Sequence, residues 1–328
     1  MPYHPETHPY RDAFRGTRVL VTGGAGFIGG HLAARLVELG ATVHVIDDLS
    51  SGHRHRVPRG SRFFEGSILD RGLLKDAMNG CELVFHEAAM VSVPQSVEQP
   101  ERCAQVNILG TELVLETALA AKVRRVLFAA SAAAYGGEPT LPSRETDPVD
   151  CRSPYAASKV AGEVLLAAFA RCYPISTVSL RYFNIFGPAQ DPKSPYAAAI
   201  SAFTDTLASG RQPTVFGDGS QTRDFTFIDN VVHANLLAAS SPHSFVGQII
   251  NIGTGIRTSL LQTIDAIAAS MGRIGAPGFG PPRAGDVLHS VADITRAKEL
   301  LGYAPVTLFA EGIDATVKFS MQPASAVR

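Results

Sequence analysis

Tyr155 and Lys159 lie four residues apart in the segment SPYAASKVAGE, a spacing that sets both side chains on one face of a helix. A phenol with an ordinary pKa of about 10 is a poor base at neutral pH, but a neighbouring ammonium stabilises its phenolate. Tyr155 is therefore the candidate general base, with Lys159 as the cation that tunes it. Ser131 ends the apolar run VLFAAS. At the carboxyl end of a parallel strand it can hydrogen-bond a reacting hydroxyl.

A second constellation supplies the partner for this set. In VLVTGGAGFIGGHLAARLVELG, Gly23, Gly26 and Gly29 follow a β-run and open an amphipathic helix. Glycine there permits a tight turn, close approach of backbone to a pyrophosphate and tight helix packing, while the helix N-terminus supplies N–H donors. The next β-run ends VID, so the Asp47 carboxylate can accept hydrogen bonds from a ribose and would repel a 2′-phosphate. NAD is expected, its cationic nicotinamide adding to the stabilisation of a Tyr155 phenolate; Arg54 and Arg56 leave NADP open, and Asp48 reads as a secondary contact.

Elements able to position these residues are legible around them. The runs RVLVTG, TVHVID, RFFEG, LVFHEA, RRVLFAAS and STVSLRYF alternate with helix-like GGHLAARLVELG, ILGTELVLETALAAK and AASKVAGEVLLAAFARCY. That alternation is the signature of an α/β fold, a Rossmann-type doubly wound parallel sheet. After about residue 184 Pro and Gly punctuate the chain, with helix-like stretches near 196–209, 260–272 and 294–302 and short strands near 213–217 and 247–251. The expected division is an N-terminal extension over 1–16, surface-lying or disordered, then an NAD-binding domain over 17–184 with return segments near 224–255. Residues 185–328 are expected to form mainly a smaller C-terminal α/β substrate-binding lobe.

Composition narrows the function classes. The 328 residues carry 45% hydrophobic and 18% charged side chains, enough apolar material for two lobes. A net charge of -1 gives no field to hold nucleic acid, which needs several phosphate-neutralising cations. No apolar run reaches the ~18 residues of a membrane span, so a soluble, cytoplasmic protein is expected, without a membrane partner. Cys81, Cys103, Cys151 and Cys172 are widely spaced and read as reduced, mostly buried thiols. His53 and His55 read as a solvated loop, so no metal is expected.

Taken together these motifs resemble the extended short-chain dehydrogenase/reductases, and within them the NAD-dependent epimerase/dehydratase family that acts on nucleotide sugars. The pieces, in order, are TGGAGFIG, VIDDLSSG, HEAA, VNILGT, SAAAYG, the Tyr155/Lys159 pair, RYFNIFGP, VFGDGSQTRDFTFIDN, NIGTG and PPRAGDVLHS. The resemblance implies that Phe27, Ile28, Asp47, Asp48, Leu49, Ser51 and Gly52 surround NAD. Ser67, Ile68, Ala88, Ala89, Asn107, Tyr155, Lys159 and Phe183 would complete that site; position 67 is Ser where many relatives carry Asp. It implies further that Ser92, Ser131, Tyr155, Asn184, Ala198, Val215, Phe216, Arg223, Arg283, Asp286 and Ser290 meet a UDP-sugar, the arginines pairing its phosphates. Segments around 103–121 and 154–172 resemble the helix pair that forms a four-helix bundle in this family's homodimers.

The resemblance also bears on the reaction. Hydride removal from a sugar C4 gives a 4-keto sugar, and relatives that eliminate water or lose a carboxylate carry acidic side chains after the catalytic hydroxyl residue. Here Ser131 is followed by Ala132, Ala133 and Ala134, so return of the hydride to the opposite face, C4 epimerisation, is expected. Ser290 takes the position that a bulky Tyr fills in relatives restricted to glucose and galactose. UDP-GlcNAc/UDP-GalNAc is therefore the expected pair, with UDP-glucose/UDP-galactose turnover able to coexist. UDP-glucuronate, through Lys193, is the runner-up substrate. The residues also leave open a net dehydrogenase or ketoreductase and a non-catalytic Rossmann binding or regulatory protein.

Overall fold

In a computed structural model the description covers residues 8, 10–191, 199–282 and 287–322. Strand β1 (Arg18–Thr22) sends Val19 and Val21 into one apolar cluster and Leu20 into another, the period of two that a strand buried on both faces requires. Strands β2 (Thr42–Asp47), β3 (Arg62–Glu65), β4 (Leu83–His86), β5 (Arg125–Ser131) and β6 (Ser176–Tyr182) follow. Along β4, Leu83 and Phe85 join the first cluster and Val84 the second. The sheet runs β3-β2-β1-β4-β5-β6, with Val246–Ile252 as a seventh strand beyond β6, and every pairing is parallel.

Helix α1 (Phe27–Glu38) covers the first face together with the helix Ile228–Ser240. On the second face lie α2 (Arg71–Met78), α5 (Gly110–Ala120) and α6 (Pro154–Cys172), while the short α3 (Val93–Glu98) and α4 (Pro100–Ala104) lead to a π-helical turn at Gln105–Leu109. Helices on both faces make the sheet doubly wound. Its order reverses between β1 and β4, and ligands of such sheets bind outside the carboxyl ends at that switch. The glycine turn follows β1 and Ser131 ends β5, so both face this crevice.

Local chemistry fixes where α6 begins and how it sits. Pro154 occupies its first turn and the Ser153 hydroxyl accepts from the Ala156 N–H at 3.1 Å, an N-cap. Halfway along, Glu163 takes two hydrogen bonds from the Arg181 guanidinium of β6, at 2.7 and 2.8 Å, both side chains 2% exposed. Removing either partner would strand a buried charge.

Beyond β6 the described chain forms the helices Ala199–Ala208, Leu260–Ser270, Thr295–Leu301 and Phe309–Ser320. Short strands pair Thr214–Phe216 with Gly278–Gly280 and Thr222–Arg223 with Thr258–Ser259. Their apolar residues, Phe203, Ile264 and Val317 among them, continue the first cluster without a break. Rings of Phe186, Phe225, Phe227 and Phe309 stack edgewise or tilted at its centre.

Two expectations are corrected. Residues 10–16 are ordered turns rather than a loose extension: Tyr10 and Phe14 are fully buried, and the Tyr10 hydroxyl bonds His233 Nδ1 at 2.9 Å. The Tyr10 ring packs on Phe14 and on His233 of the helix Ile228–Ser240, and both rings join the first apolar cluster, which anchors an otherwise polar segment. The thiols are also only half buried, because Cys151 precedes α6 in a loop and Cys172 lies in its last turn, both exposed. Among the described residues no helix is long and apolar enough to cross a membrane. Phe14→Ala is expected to cost about 3–5 kcal/mol, read as a lowered midpoint in denaturant; an unchanged midpoint would show that the segment lies on the fold without supporting it.

Candidate active site

The turn after β1 is held open by backbone geometry that only glycine tolerates. Gly23 has φ +70°, and a Cβ there would lie 2.7 Å from the Ala88 amide nitrogen; one on Gly29 would lie 2.2 Å from the Gly23 carbonyl oxygen. The turn is thus pressed between the end of β4 and the start of α1. Asp47 fixes it from the other side, with Oδ2 accepting from the Ala25 N–H at 2.9 Å and Oδ1 from the Leu49 N–H at 2.8 Å. Burial pushes its carboxyl above the ordinary range, opposed by those two N–H bonds. Leu49 itself takes φ +58°, and Gly52 packs against Asp47 Oδ1.

At the other end of the crevice, the Lys159 ammonium donates to the Ala129 carbonyl of β5 at 2.7 Å and sits 5.9 Å from the centre of the Tyr155 ring. Burial pulls its pKa down to about 8, partly offset by the charges of Glu87 and Glu163. Burial also raises the Tyr155 phenol above its ordinary value, and a hydrogen bond with Ser131 works against that shift. Ser131 Oγ accepts from the Ala133 N–H at 3.2 Å as the chain turns off β5. A hydroxyl, a phenol and an ammonium are thereby gathered from two elements into one partly dry recess.

These groups line a single cleft of about 1440 Å³, which also takes in Gly23, Gly26, Phe27, Ile28 and Gly29. Asp47, Asp48, Ser51, Ser67, Ile68, Ala88 and Ala89 contribute to the same walls. So do Ser92, Phe183, Asn184, Arg223 and Ser290, and Asn184 Nδ2 donates to Ser290 Oγ at 3.1 Å. Asn107 stands behind the wall: fully buried in the π turn, it pairs with both the N–H and the C=O of Met90, at 2.7 and 3.0 Å, and with Ser158 Oγ at 2.9 Å. It shapes the cleft by holding the Ala89–Val91 strip. Val215 and Phe216 lie off the cleft, next to a small hollow lined by Gly217, Gln221 and Leu288. Ala198, Arg283, Asp286 and Lys193 lie outside the described residues.

Arg54 is engaged off the cleft, with Glu65 at 3.6 Å and the Phe63 ring, whereas Arg56 lines the cleft and donates to the Ala189 carbonyl. The sequence reading gave no role to Glu87, which lines the cleft beside Tyr182. Its one signal was an acid directly after a strand buried at every position.

Residues 19–253 match the model of the NAD dependent epimerase/dehydratase family, and the chain belongs to that family of NAD-dependent enzymes. A UDP-glucose 4-epimerase of Mycolicibacterium smegmatis is 42% identical over 92% of this chain and 98% of its own. The crystal structure of a UDP-glucose 4-epimerase from Thermotoga maritima with UDP-glucose superposes with a TM-score of 0.88 at 38% identity, over 93% of this chain and 98% of that one. A UDP-N-acetylglucosamine 4-epimerase from Methanobrevibacter ruminantium, in complex with UDP-N-acetylmuramic acid, gives 0.89 at 33% identity, over 94% and 99%.

The residues present fit NAD. The cradle at Gly23 and Gly29 has no space for a Cβ, the first residues of α1, Phe27, Ile28 and Gly29, line the cleft, and Asp47 stands beside the turn. Gly23→Ala combines a left-handed φ with a contact of 2.7 Å to Ala88 and is expected to strip the purified protein of cofactor while leaving far-ultraviolet dichroism unchanged. Retention of NAD at the wild-type ratio would show that the turn is not the pyrophosphate cradle.

Proposed function

We propose that the chain is an NAD-dependent UDP-sugar 4-epimerase and that its preferred pair is UDP-GlcNAc/UDP-GalNAc. The observation that carries the reading is the pairing of a Tyr155, Lys159 and Ser131 recess with an acid-free turn, Ala132–Tyr135, directly after Ser131. Tyr155 takes the proton of the C4 hydroxyl, Ser131 hydrogen-bonds the same oxygen, and Lys159 supplies the nearby positive charge that an oxyanion and a phenolate both need. NAD, when bound, supplies the acceptor that takes the C4 hydride and returns it. The keto sugar turns about its diphosphate link, C4 regains the hydride on its opposite face, and the C4 oxygen regains the proton from Tyr155. The turn after Ser131 carries no acid that could protonate a leaving group, so elimination lacks a proton donor from that turn.

The choice of sugar rests on Ser290. It lines the cleft next to Asn184 with a side chain of a single hydroxymethyl, which leaves room for an N-acetyl group and also admits plain glucose. Arg223 lines the cleft wall and is the cation proposed for the diphosphate. The test is incubation with UDP-GlcNAc, UDP-glucose and UDP-glucuronate separately, without added NAD, with products resolved by proton NMR. A C4 epimer accumulating to a fixed ratio without net NADH is expected, fastest from UDP-GlcNAc. A dehydrated or decarboxylated product would overturn the epimerase assignment. Tyr155→Phe should lower turnover about 10²–10⁴-fold while retaining NAD.

A homodimer belongs to the same proposal. Val93 and Val97 of α3, Leu109 of the π turn and Val164 of α6 are all exposed, by 42, 61, 44 and 64%, and they lie on adjoining helices. Such a patch is what a helical interface buries. Analytical ultracentrifugation should show a dimer that Val164→Glu splits; a wild-type monomer at micromolar concentration would refute it.

A further inference from the structure

Glu87 has the environment of a group awaiting a charge. Its Oε1 accepts from the Tyr182 hydroxyl at 2.9 Å, and Tyr182 in turn accepts from Asn235 Nδ2 at 2.8 Å, so the carboxyl cannot swing away from the cleft. Oε2 is buried and has no hydrogen-bond partner among the described residues. A buried carboxylate oxygen left unpaired is costly unless a ligand completes it. Among the described residues, the titratable groups facing it are Lys159 and Tyr155 on α6 and Tyr182 on β6. Burial pushes the carboxyl up to about 7, resisted by the Tyr182 hydrogen bond and the Lys159 charge.

The position of the reacting groups follows from chemistry. Tyr155 must reach the sugar hydroxyl, and the carbon that accepts the hydride must come within about 3–3.5 Å of the carbon that gives it. A bound nicotinamide would therefore share the part of the cleft that Glu87, Tyr155 and Lys159 line together. In the oxidised form that ring is cationic and in the reduced form it is neutral. A fixed carboxylate distinguishes the two by Coulomb attraction alone.

We propose that Glu87 sets the redox poise of the bound nicotinamide, its carboxylate favouring the cationic oxidised ring and so hastening return of the hydride to the keto sugar. This rests on the NAD-dependent epimerase reading. The balance is simple: two electrons and a hydrogen nucleus pass from C4 to the ring, the hydroxyl proton passes to Tyr155, and both come back. Glu87 transfers nothing; it shifts the midpoint between the two states of the cofactor.

The measurement is the ratio of reduced to oxidised bound cofactor when the holoprotein is equilibrated with a low-potential dye couple, read by the near-ultraviolet absorbance of the reduced ring. Above neutral pH, Glu87→Gln should raise that ratio about tenfold and Glu87→Asp should stay near wild type. The gap should close as pH falls through about 7, where the wild-type carboxyl takes up a proton and becomes as neutral as glutamine. Equal ratios in wild type and Glu87→Gln at every pH would overturn the proposal. Should Glu87→Gln not fold, the wild-type protein alone decides: a bend near neutrality in midpoint against pH supports the role, and a plot parallel to free NAD sinks it. A wild-type protein that epimerises but shows no such effect leaves the epimerase reading standing, whereas one that carries no NAD removes both.

Discussion

The close approach of the turn after β1 to the end of β4 is the constraint on which the site depends. At Gly23 the two backbones leave no volume for a side chain, and Asp47 locks the turn by receiving the Ala25 and Leu49 amides. Thr22 extends the same bracket, its hydroxyl accepting from the Ala88 N–H at 3.2 Å and pairing with His86 Nδ1 at 2.8 Å. His86 continues through Thr111 to the Asn107 carbonyl. A buried polar chain therefore runs from the glycine turn to the π turn, and each member has a partner, which is the condition for such a network to rigidify a fold.

That chain explains how two distant ends of one cleft keep their spacing. Asn107 holds Met90 by both backbone groups and reaches Ser158, whose hydroxyl donates to the Tyr155 carbonyl at 2.7 Å. Tyr155 is placed as well by its own N–H, which donates to Ser96 Oγ at 3.1 Å. Lys159 ties the helix to β5 through Ala129, and Glu163 ties it to β6 through Arg181. The helix that carries the candidate base is fastened at four points before any ligand arrives. This is the preorganisation that positioning of a proton acceptor requires.

The large sheet was legible because a parallel strand buried on both faces leaves a continuous apolar run. All six early runs became β1 to β6, and the Tyr155/Lys159 spacing read correctly as one helix face. What the sequence hid was decided by partners far along the chain. Tyr10 and Phe14 read as part of a polar tail because Tyr10 packs on His233, more than two hundred residues away, and Phe14 packs on Tyr10. Asn107 read as a ligand contact because a motif gives position, not the direction of a side chain turned inward by a π turn. Val215 and Phe216 lie where a short parallel pair with Gly278–Gly280 takes them, off the main cleft. Glu87 carried no periodic signal at all, since its meaning comes from Tyr182 and Lys159 on other elements.

Glu87 also bears on why an acid in the pocket need not direct the reaction toward elimination. To assist loss of water or a carboxylate, a carboxyl must reach the leaving group beside the atom that Ser131 and Tyr155 engage. The turn that leaves Ser131 is Ala132, Ala133 and Ala134 and offers no proton there. Glu87 instead leaves β4, between the strand that carries the glycine turn and the strand that ends in Ser131. One of its oxygens is committed to Tyr182, which is itself held by Asn235. A carboxyl so tethered acts through its field rather than by delivering a proton, and a field that favours the oxidised cofactor shortens the life of the keto sugar. Shortening that life favours the reaction that needs only a turn of the sugar over reactions that need further bond-breaking while the ketone waits.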